Sequence, residues 1–245
     1  MENKDRVPWA KAWALTAAVG LLAGCVTAGS GKPASKILAL SVSAIEGQDH
    51  FGYEGEVALI GPAGKVAESG RFRGAVSGHR PLAATWSGLP EPSAVRRNEP
   101  LQLVRDLRQN VARAAYARGS GQPGTVTVRV ELSPEAARRR IADALRRDLA
   151  SVRAQALEAT AKAASGSETV RLRQLQSRAE QTIGQAQQEL DRMLATLEVS
   201  TVCYWTADRK TYFPLELREQ TTLRYKRGGR DAVEKRVAVT RFLRS

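Results

Sequence analysis

The stretch TVTVRVELSPE, residues 125–135, decides the fold because a strand pattern passes directly into a helix start. Apolar and polar residues alternate over residues 125–132, which predicts a half-buried strand. Ser133 is a good N-cap, Pro134 suits the first helical position, and Glu135 faces the positive end of the helix dipole. A strand and a helix therefore meet at Ser133.

A long helical pattern follows from Pro134 to about Ala164, and residues 164–167 (ASGS) interrupt it. A second helix then has near-heptad apolar spacing. Its apolar positions are Leu172, Leu175, Ala179, Ile183, Ala186, Leu190, Met193 and Leu197. Two helices of matched length joined by a short turn predict an antiparallel, coiled-coil-like hairpin over residues 134–198. Whether it projects from the body or covers a sheet stays open.

The region before this hairpin predicts a β-rich body over residues 37–133. Residues 37–46 look strand-like because they are rich in β-branched and apolar side chains. Residues 56–60 and 66–72 flank the turn signature GPAG and predict a β-hairpin. Residues 82–86 predict a short strand. Helical periodicity over residues 98–118, with Asn98 as N-cap, predicts one amphipathic helix.

The region after the hairpin, residues 199–245, predicts strands that complete the body. Residues 199–206 should lie beside the strand at 125–132, with the helices inserted between them. Residues 212–225 and 232–243 flank a glycine turn and predict a second β-hairpin, with Val237, Val239 and either Phe242 or Leu243 facing the core. The expected fold class is α+β: a mostly antiparallel β body, one amphipathic helix and the inserted helical hairpin.

The N-terminal residues have the pattern of a targeting signal. Lys4, Arg6 and Lys11 precede an apolar, small-residue run over residues 12–24, which is too short for a comfortable membrane span of about 20 residues. The run ends in Leu22-Ala23-Gly24-Cys25, which resembles the lipobox of bacterial lipoproteins.

This resemblance implies cleavage between Gly24 and Cys25 of a signal peptide spanning residues 1–24. It also implies a covalent diacylglycerol and an N-acyl lipid on Cys25, with no other cofactor. Residues 25–36, rich in Gly, Ser, Ala and Pro, would follow as the lipidated cysteine and a flexible tether. Val26 rather than Asp after the cysteine favours the outer membrane, with the protein facing the periplasm.

The charge pattern predicts attraction to polyanions. The formal net charge is +13, and the expected ligands are anionic lipid, lipopolysaccharide or cell-wall polymer. Nucleic acid is not expected, because the lipobox directs the chain away from it. The alternative is a solvated basic face without a specific ligand. The candidate polyanion-binding residues are Arg138, Arg139, Arg140, Arg146, Arg147, Lys226, Arg227 and Arg230.

Motifs for catalysis and metal binding do not occur in the sequence. His50 and His79 lack a neighbour at metal-ligand spacing, so no metal site is predicted. Cys203 lies inside a predicted strand and is expected to be a buried structural thiol. A carboxylate site built from Glu54 and Glu56 is the remaining enzymatic hypothesis. We therefore expect a protein that is not an enzyme.

Two functions fit these patterns. The first is a membrane-anchored accessory or scaffold subunit of an envelope complex for secretion, transport or surface assembly, docking through its helical hairpin. An inserted hairpin of this kind resembles that of lipid-anchored efflux-pump adaptors, although the glycine-and-lysine pattern of their lipoyl-like domain is missing. The second is a binding module for lipopolysaccharide or peptidoglycan.

Overall fold

The computed structural model describes residues 31–88, 100–117, 122–163 and 169–244, which form an α+β fold. The four helices are α1 (Ala34–Glu46), α2 (Pro100–Gln109), α3 (Pro134–Ala163) and α4 (Thr169–Ala195). The first five strands are β1 (His50–Ile60), β2 (Val66–Ser77), β3 (Arg80–Pro81), β4 (Thr85–Ser87) and β5 (Val111–Tyr116). The last four are β6 (Thr125–Leu132), β7 (Glu198–Asp208), β8 (Pro214–Arg227) and β9 (Arg230–Arg244).

All nine strands belong to one antiparallel sheet. Its order is β3-β2-β1-β9-β8-β7-β6-β5, and β4 also pairs with β2. The prediction that residues 125–132 and 199–206 lie side by side is confirmed, because β6 pairs with β7. The two predicted β-hairpins are also confirmed, as β1–β2 and β8–β9.

The first element corrects the sequence prediction. Residues 37–46 form part of α1 and not a strand. Ile37, Leu38, Val42 and Ile45 are buried at a spacing that only a helix brings to one face. Burial of this face against the sheet outweighs the β propensity of the branched side chains. The helix begins at Ala34, so it also takes up the last three residues of the predicted tether.

The predicted helix over residues 98–118 is also corrected. Helix α2 ends at Gln109, and β5 begins at Val111 and pairs with β6. Between them, the Asn110 backbone N–H donates to Asp106 O at 2.8 Å, and Asn110 O accepts from the N–H of Ser133 at 2.8 Å. The residues of β5 continue the helical periodicity in the sequence. Pairing with β6 nevertheless satisfies their backbone hydrogen bonds in a strand. Asn98 lies outside the described residues. The strand predicted at 82–86 is the shorter β4.

The helices lie on one face of the sheet, and the core lies between the helices and the sheet. Trp205 on β7 is fully buried, and its indole N–H donates to Ser41 Oγ of α1 at 2.7 Å. Phe242 on β9 packs beside it, with ring centroids 5.8 Å apart. The expectation that Val237 and Val239 face this core is wrong. Their neighbours in β9 alternate inward instead: Arg236, Ala238, Thr240 and Phe242.

The sheet has two ends that carry different features. At the tether end, the hydroxyl of Tyr116 donates to the backbone oxygen of Lys32, so the chain enters the fold there. The turn between β7 and β8 and the last residue of β9 lie at the same end. At the opposite, root end, β6 leads into α3, α4 leads into β7, and β8 turns into β9.

Candidate functional site

The first turns of α3 are fixed against β7. The Ala136 backbone N–H donates to Ser133 Oγ at 3.2 Å, which confirms Ser133 as the N-cap. Ala137 is fully buried and Ile141 is 7% exposed. At the other end of the helical segment, Leu194 of α4 is also buried. We call residues 134–145 and 190–197 the root of the helices.

Arg138 ties the two helices together at this root. Its Nε donates to the carbonyl oxygen of Leu197 at 3.0 Å, and its Nη2 donates to that of Leu194 at 2.8 Å. The last carbonyl groups of a helix have no partner within the helix and attract a cation. Arg138 therefore caps the end of α4 from the start of α3.

Arg140 joins the root to the sheet through a buried ion pair. Its guanidinium bonds the carboxylate of Glu219 on β8, and it lies 3.3 Å from Thr221 Oγ1. The side chains of Arg140 and Glu219 are 11% and 2% exposed. Burial alone would lower the pKa of Arg140, but the Glu219 carboxylate outweighs this effect and raises it. Arg140 therefore carries a structural charge within the core.

Asp106 brings α2 to the same cluster. Its Oδ2 atom lies 3.9 Å from Arg140 Nε, which is too far for a hydrogen bond. Partial burial raises the pKa of Asp106, although Arg140 and a hydrogen bond from Gln102 oppose that rise. The cluster thus joins α2, α3 and β8 under the root.

Cys203 lies beside this cluster on β7 and is fully buried, as expected. Burial raises the pKa of its thiol strongly, and the nearby Glu219 carboxylate adds to the rise. The thiolate, the nucleophilic form of cysteine, is therefore suppressed. Thr201 and Thr221 pair next to it, with hydroxyl oxygens 2.9 Å apart.

Beyond the root, α3 and α4 are mostly exposed. In α3, residues 151–159 are exposed apart from a half-buried Ala156, and Val152 and Leu157 are 43% and 40% exposed. In α4, residues 176–188 are exposed apart from the half-buried Ala179 and Ile183. We call these two stretches the distal arm. These two stretches bury little apolar area, since few of their apolar side chains lose contact with water.

The basic β8–β9 turn lies beside the end of α4. The Lys226 backbone N–H donates to Thr196 Oγ1 at 2.9 Å. Lys226, Arg227 and Arg230 are exposed, and no ion pair within the described part of the chain involves them. Next to them, the Tyr225 hydroxyl donates to Glu234 Oε1 at 2.5 Å.

The structure thus brings the two predicted groups of basic residues to the same end of the sheet, but with different environments. Arg139, Arg146 and Arg147 on α3 are exposed, and Arg146 lies 3.5 Å from Asp143. Arg138 and Arg140 instead bond to the protein itself. Gly24 and Cys25 lie outside the described residues.

The remaining candidates do not form a common site. His79 lies 2.7 Å from Asp49 on the surface, and His50 begins β1. No three His, Cys, Asp or Glu side chains in the described ranges are grouped to hold a metal ion. Glu54 and Glu56 line an open groove of about 570 Å³, where Glu54 accepts from Arg73 at 2.8 Å. This groove is open to solvent, and the ion pair with Arg73 engages one of its two carboxylates.

Two important residues were missed from the sequence. Glu219 lies in β8 between Leu217 and Thr221, which face the core, so strict alternation would have placed it inward. Asp106 gave no comparable signal, because α2 is polar on most of its surface.

No family model matches the chain, and no curated protein matches its sequence significantly. Among the described residues, no helix combines the length and apolar character needed to span a membrane. Function is therefore inferred from this chain's own residues.

Proposed function

We propose that this protein is a lipid-anchored, non-enzymatic subunit of a bacterial envelope complex. In this proposal Cys25 carries the lipid in the outer membrane, the folded part faces the periplasm, and α3 and α4 form an antiparallel hairpin that docks a partner. The observation that carries it is the contrast between a bonded, buried root and an exposed distal arm.

The root favours docking because it limits the freedom of the arm. Arg138 holds the end of α4, and Arg140 holds α3 to β8. A surface whose base is fixed loses less conformational entropy on binding than a free helix does. The distal arm presents Val152 and Leu157 to solvent, and such exposed apolar side chains gain from burial against a partner.

The chemistry of the arm also selects a kind of partner. The distal arm carries two basic side chains, Arg153 and Arg178, and two acidic ones, Glu158 and Glu180. A partner helix with an apolar stripe flanked by residues of both charges would match this surface. Because the acidic and basic side chains of the distal arm balance, its exposed apolar side chains rather than a net charge would select the partner.

Site-specific photocrosslinking in intact cells tests this proposal. A photoreactive amino acid replaces Val152 in one strain and Val233 of β9, which is 40% exposed, in another. The proposal expects one specific crosslinked envelope protein from position 152 and none from position 233. Equal capture at both positions, or none at 152, would count against docking by the arm.

The lipid anchor needs its own test. Cys25→Ser removes the residue that would carry the acyl chains, and we expect the variant to lack lipid and to be extracted from membranes by high salt. Mass measurement of the N-terminal peptide of the parent protein is the direct check. A parent peptide with unmodified Cys25 would refute the anchor.

A second candidate function rests on the basic β8–β9 turn. Lys226, Arg227 and Arg230 are exposed beside the root, which suits a lipopolysaccharide phosphate or the carboxylates of peptidoglycan. Binding of purified lipopolysaccharide should then weaken steeply with salt, because exposed charges are screened. Replacing all three residues with Gln should abolish it, whereas salt-independent binding would argue for another surface.

A further inference from the structure

We propose that the tether end of the sheet is a membrane-docking face that binds the anionic headgroups of the bilayer holding the lipid on Cys25. This inference rests on the proposed lipid anchor and goes beyond it, because it fixes the orientation of the folded part. The occupant is the bilayer surface itself. The arm and its partner would then lie on the side away from that bilayer.

The tether end is basic and exposed. Six exposed basic side chains of the described residues lie there: Lys32, Lys36, Arg80, Arg209, Lys210 and Arg244. None of them forms an ion pair within the residues that the structure describes, whereas the acidic groups Asp49, Asp208 and Glu216 at this end are engaged. Asp49 lies 2.7 Å from His79, and Asp208 accepts from the Lys210 and Thr211 backbone N–H groups at 3.0 and 2.7 Å.

Apolar and aromatic groups accompany these charges. Leu82, Leu215 and Leu243 are 52%, 37% and 42% exposed. Leu215 and Leu243 are each one residue from the tether end of their strands, and Leu82 directly follows β3. Lys32 Nζ lies 5.9 Å from the centre of the Tyr212 ring. Basic side chains with exposed apolar ones suit an anionic bilayer surface, where each contributes separately.

Charge alone does not choose between the ends, since the β8–β9 turn is basic as well. The length of chain between Cys25 and the fold distinguishes the two ends. Lys32 lies seven positions after Cys25, so the chain between them spans at most about 25 Å at 3.3–3.6 Å per residue. Strand β1 alone spans the sheet for eleven residues, about 36 Å at 3.3 Å per residue. A tether that enters at Lys32 cannot place the root end on the bilayer with the sheet upright.

Contact quenching on vesicles tests this orientation with the lipidated full chain. Cys203 is buried and Cys25 would be acylated, so one added cysteine takes a fluorophore selectively. Gln48→Cys places the fluorophore at the tether end, and Lys65→Cys places it in the β1–β2 turn at the root end. Both positions are exposed. The vesicles contain phosphatidylglycerol and a lipid with a nitroxide on its headgroup.

The inference expects strong quenching at position 48 and little at position 65. The Lys32→Gln, Lys210→Gln, Arg244→Gln variant should lower the docked-to-undocked ratio about a hundredfold at low salt, since each charge near an anionic surface is worth about 1 kcal/mol. The matched Lys226→Gln, Arg227→Gln, Arg230→Gln variant should leave quenching unchanged.

Equal quenching at positions 48 and 65, or quenching that the first triple variant leaves intact, would overturn the docking face while the lipid anchor stands. A parent chain whose Cys25 peptide has no acyl mass would refute the anchor and this inference together. The mass of that peptide therefore separates the two failures.

Discussion

Arg140 on α3 and Glu219 on β8 form an ion pair beneath the root of the helices, where both side chains are almost fully buried. Taking two charges out of water costs as much as their attraction returns in many proteins. The pair therefore matters less for total stability than for where α3 lies on the sheet. Only this register lets Glu219 meet its cation.

Breaking that pair from one side should be strongly destabilising. Arg140→Met leaves the Glu219 carboxylate buried without its cation, so we expect the free energy of unfolding to fall by about 3–5 kcal/mol in urea titrations. The double variant Arg140→Met, Glu219→Met should recover most of that loss. Arg146→Met serves as control, since Arg146 is exposed and should change stability by less than about 1 kcal/mol. Additive losses in the double variant would show that the pair acts as two independent groups.

Tyr225 should lose its hydroxyl proton at a higher pH than an ordinary tyrosine. Burial, followed by its hydrogen bond to Glu234, raises its pKa to about 12, from an ordinary value of 10.0. Because the folded pKa is the higher one, the stabilisation from Tyr225 is complete below pH 10 and is lost as the pH rises towards 12. A difference ultraviolet titration against Tyr225→Phe measures this pKa directly. Glu234→Gln should lower it, and a parent value near 10 would contradict the buried hydrogen bond.

Cys203 should be inert in the folded protein. Its thiol is buried and has a raised pKa, and only the thiolate reacts with alkylating reagents. We expect labelling by a maleimide to follow global unfolding, so that it becomes fast only in denaturant. Labelling in native buffer as fast as that of a cysteine introduced at the exposed Ser69 would place Cys203 near the surface and contradict the core described above.

The fold was predictable where local signals agree with the tertiary structure. The alternation in β6, the Ser133 cap and the two turn signatures all specify local geometry, and all three were correct. Local signals failed where the burial of side chains decides which element forms. Ile37 and Val42 have β propensity, but the face they share with Ile45 packs as a helix on the sheet.

Which side of a strand faces the core, and which charged residues are buried, were harder to predict from the sequence. In β9 the prediction used the apolar character of Val237 and Val239 to assign the inward face. That face was wrong, because Arg236 and Thr240 lie on the buried side. Glu219 is buried only because Arg140 arrives from α3, a contact across 79 residues of sequence. Strand periodicity allows such a position, but only the tertiary partner makes it stable. The candidate arm was predictable as two helices, whereas the bonds that hold its root were not.

Recovery of the envelope complex from intact cells after chemical crosslinking tests the central claim most directly. The variant Val152→Asp, Leu157→Asp changes two exposed apolar side chains of the distal arm, and Val233→Asp is a control of similar exposure on the sheet. We expect all three proteins to be lipidated and equally stable to urea. The account predicts that the arm variant loses its partner while the control and the parent keep it. Retention of the same partner by the arm variant would contradict docking through α3 and α4.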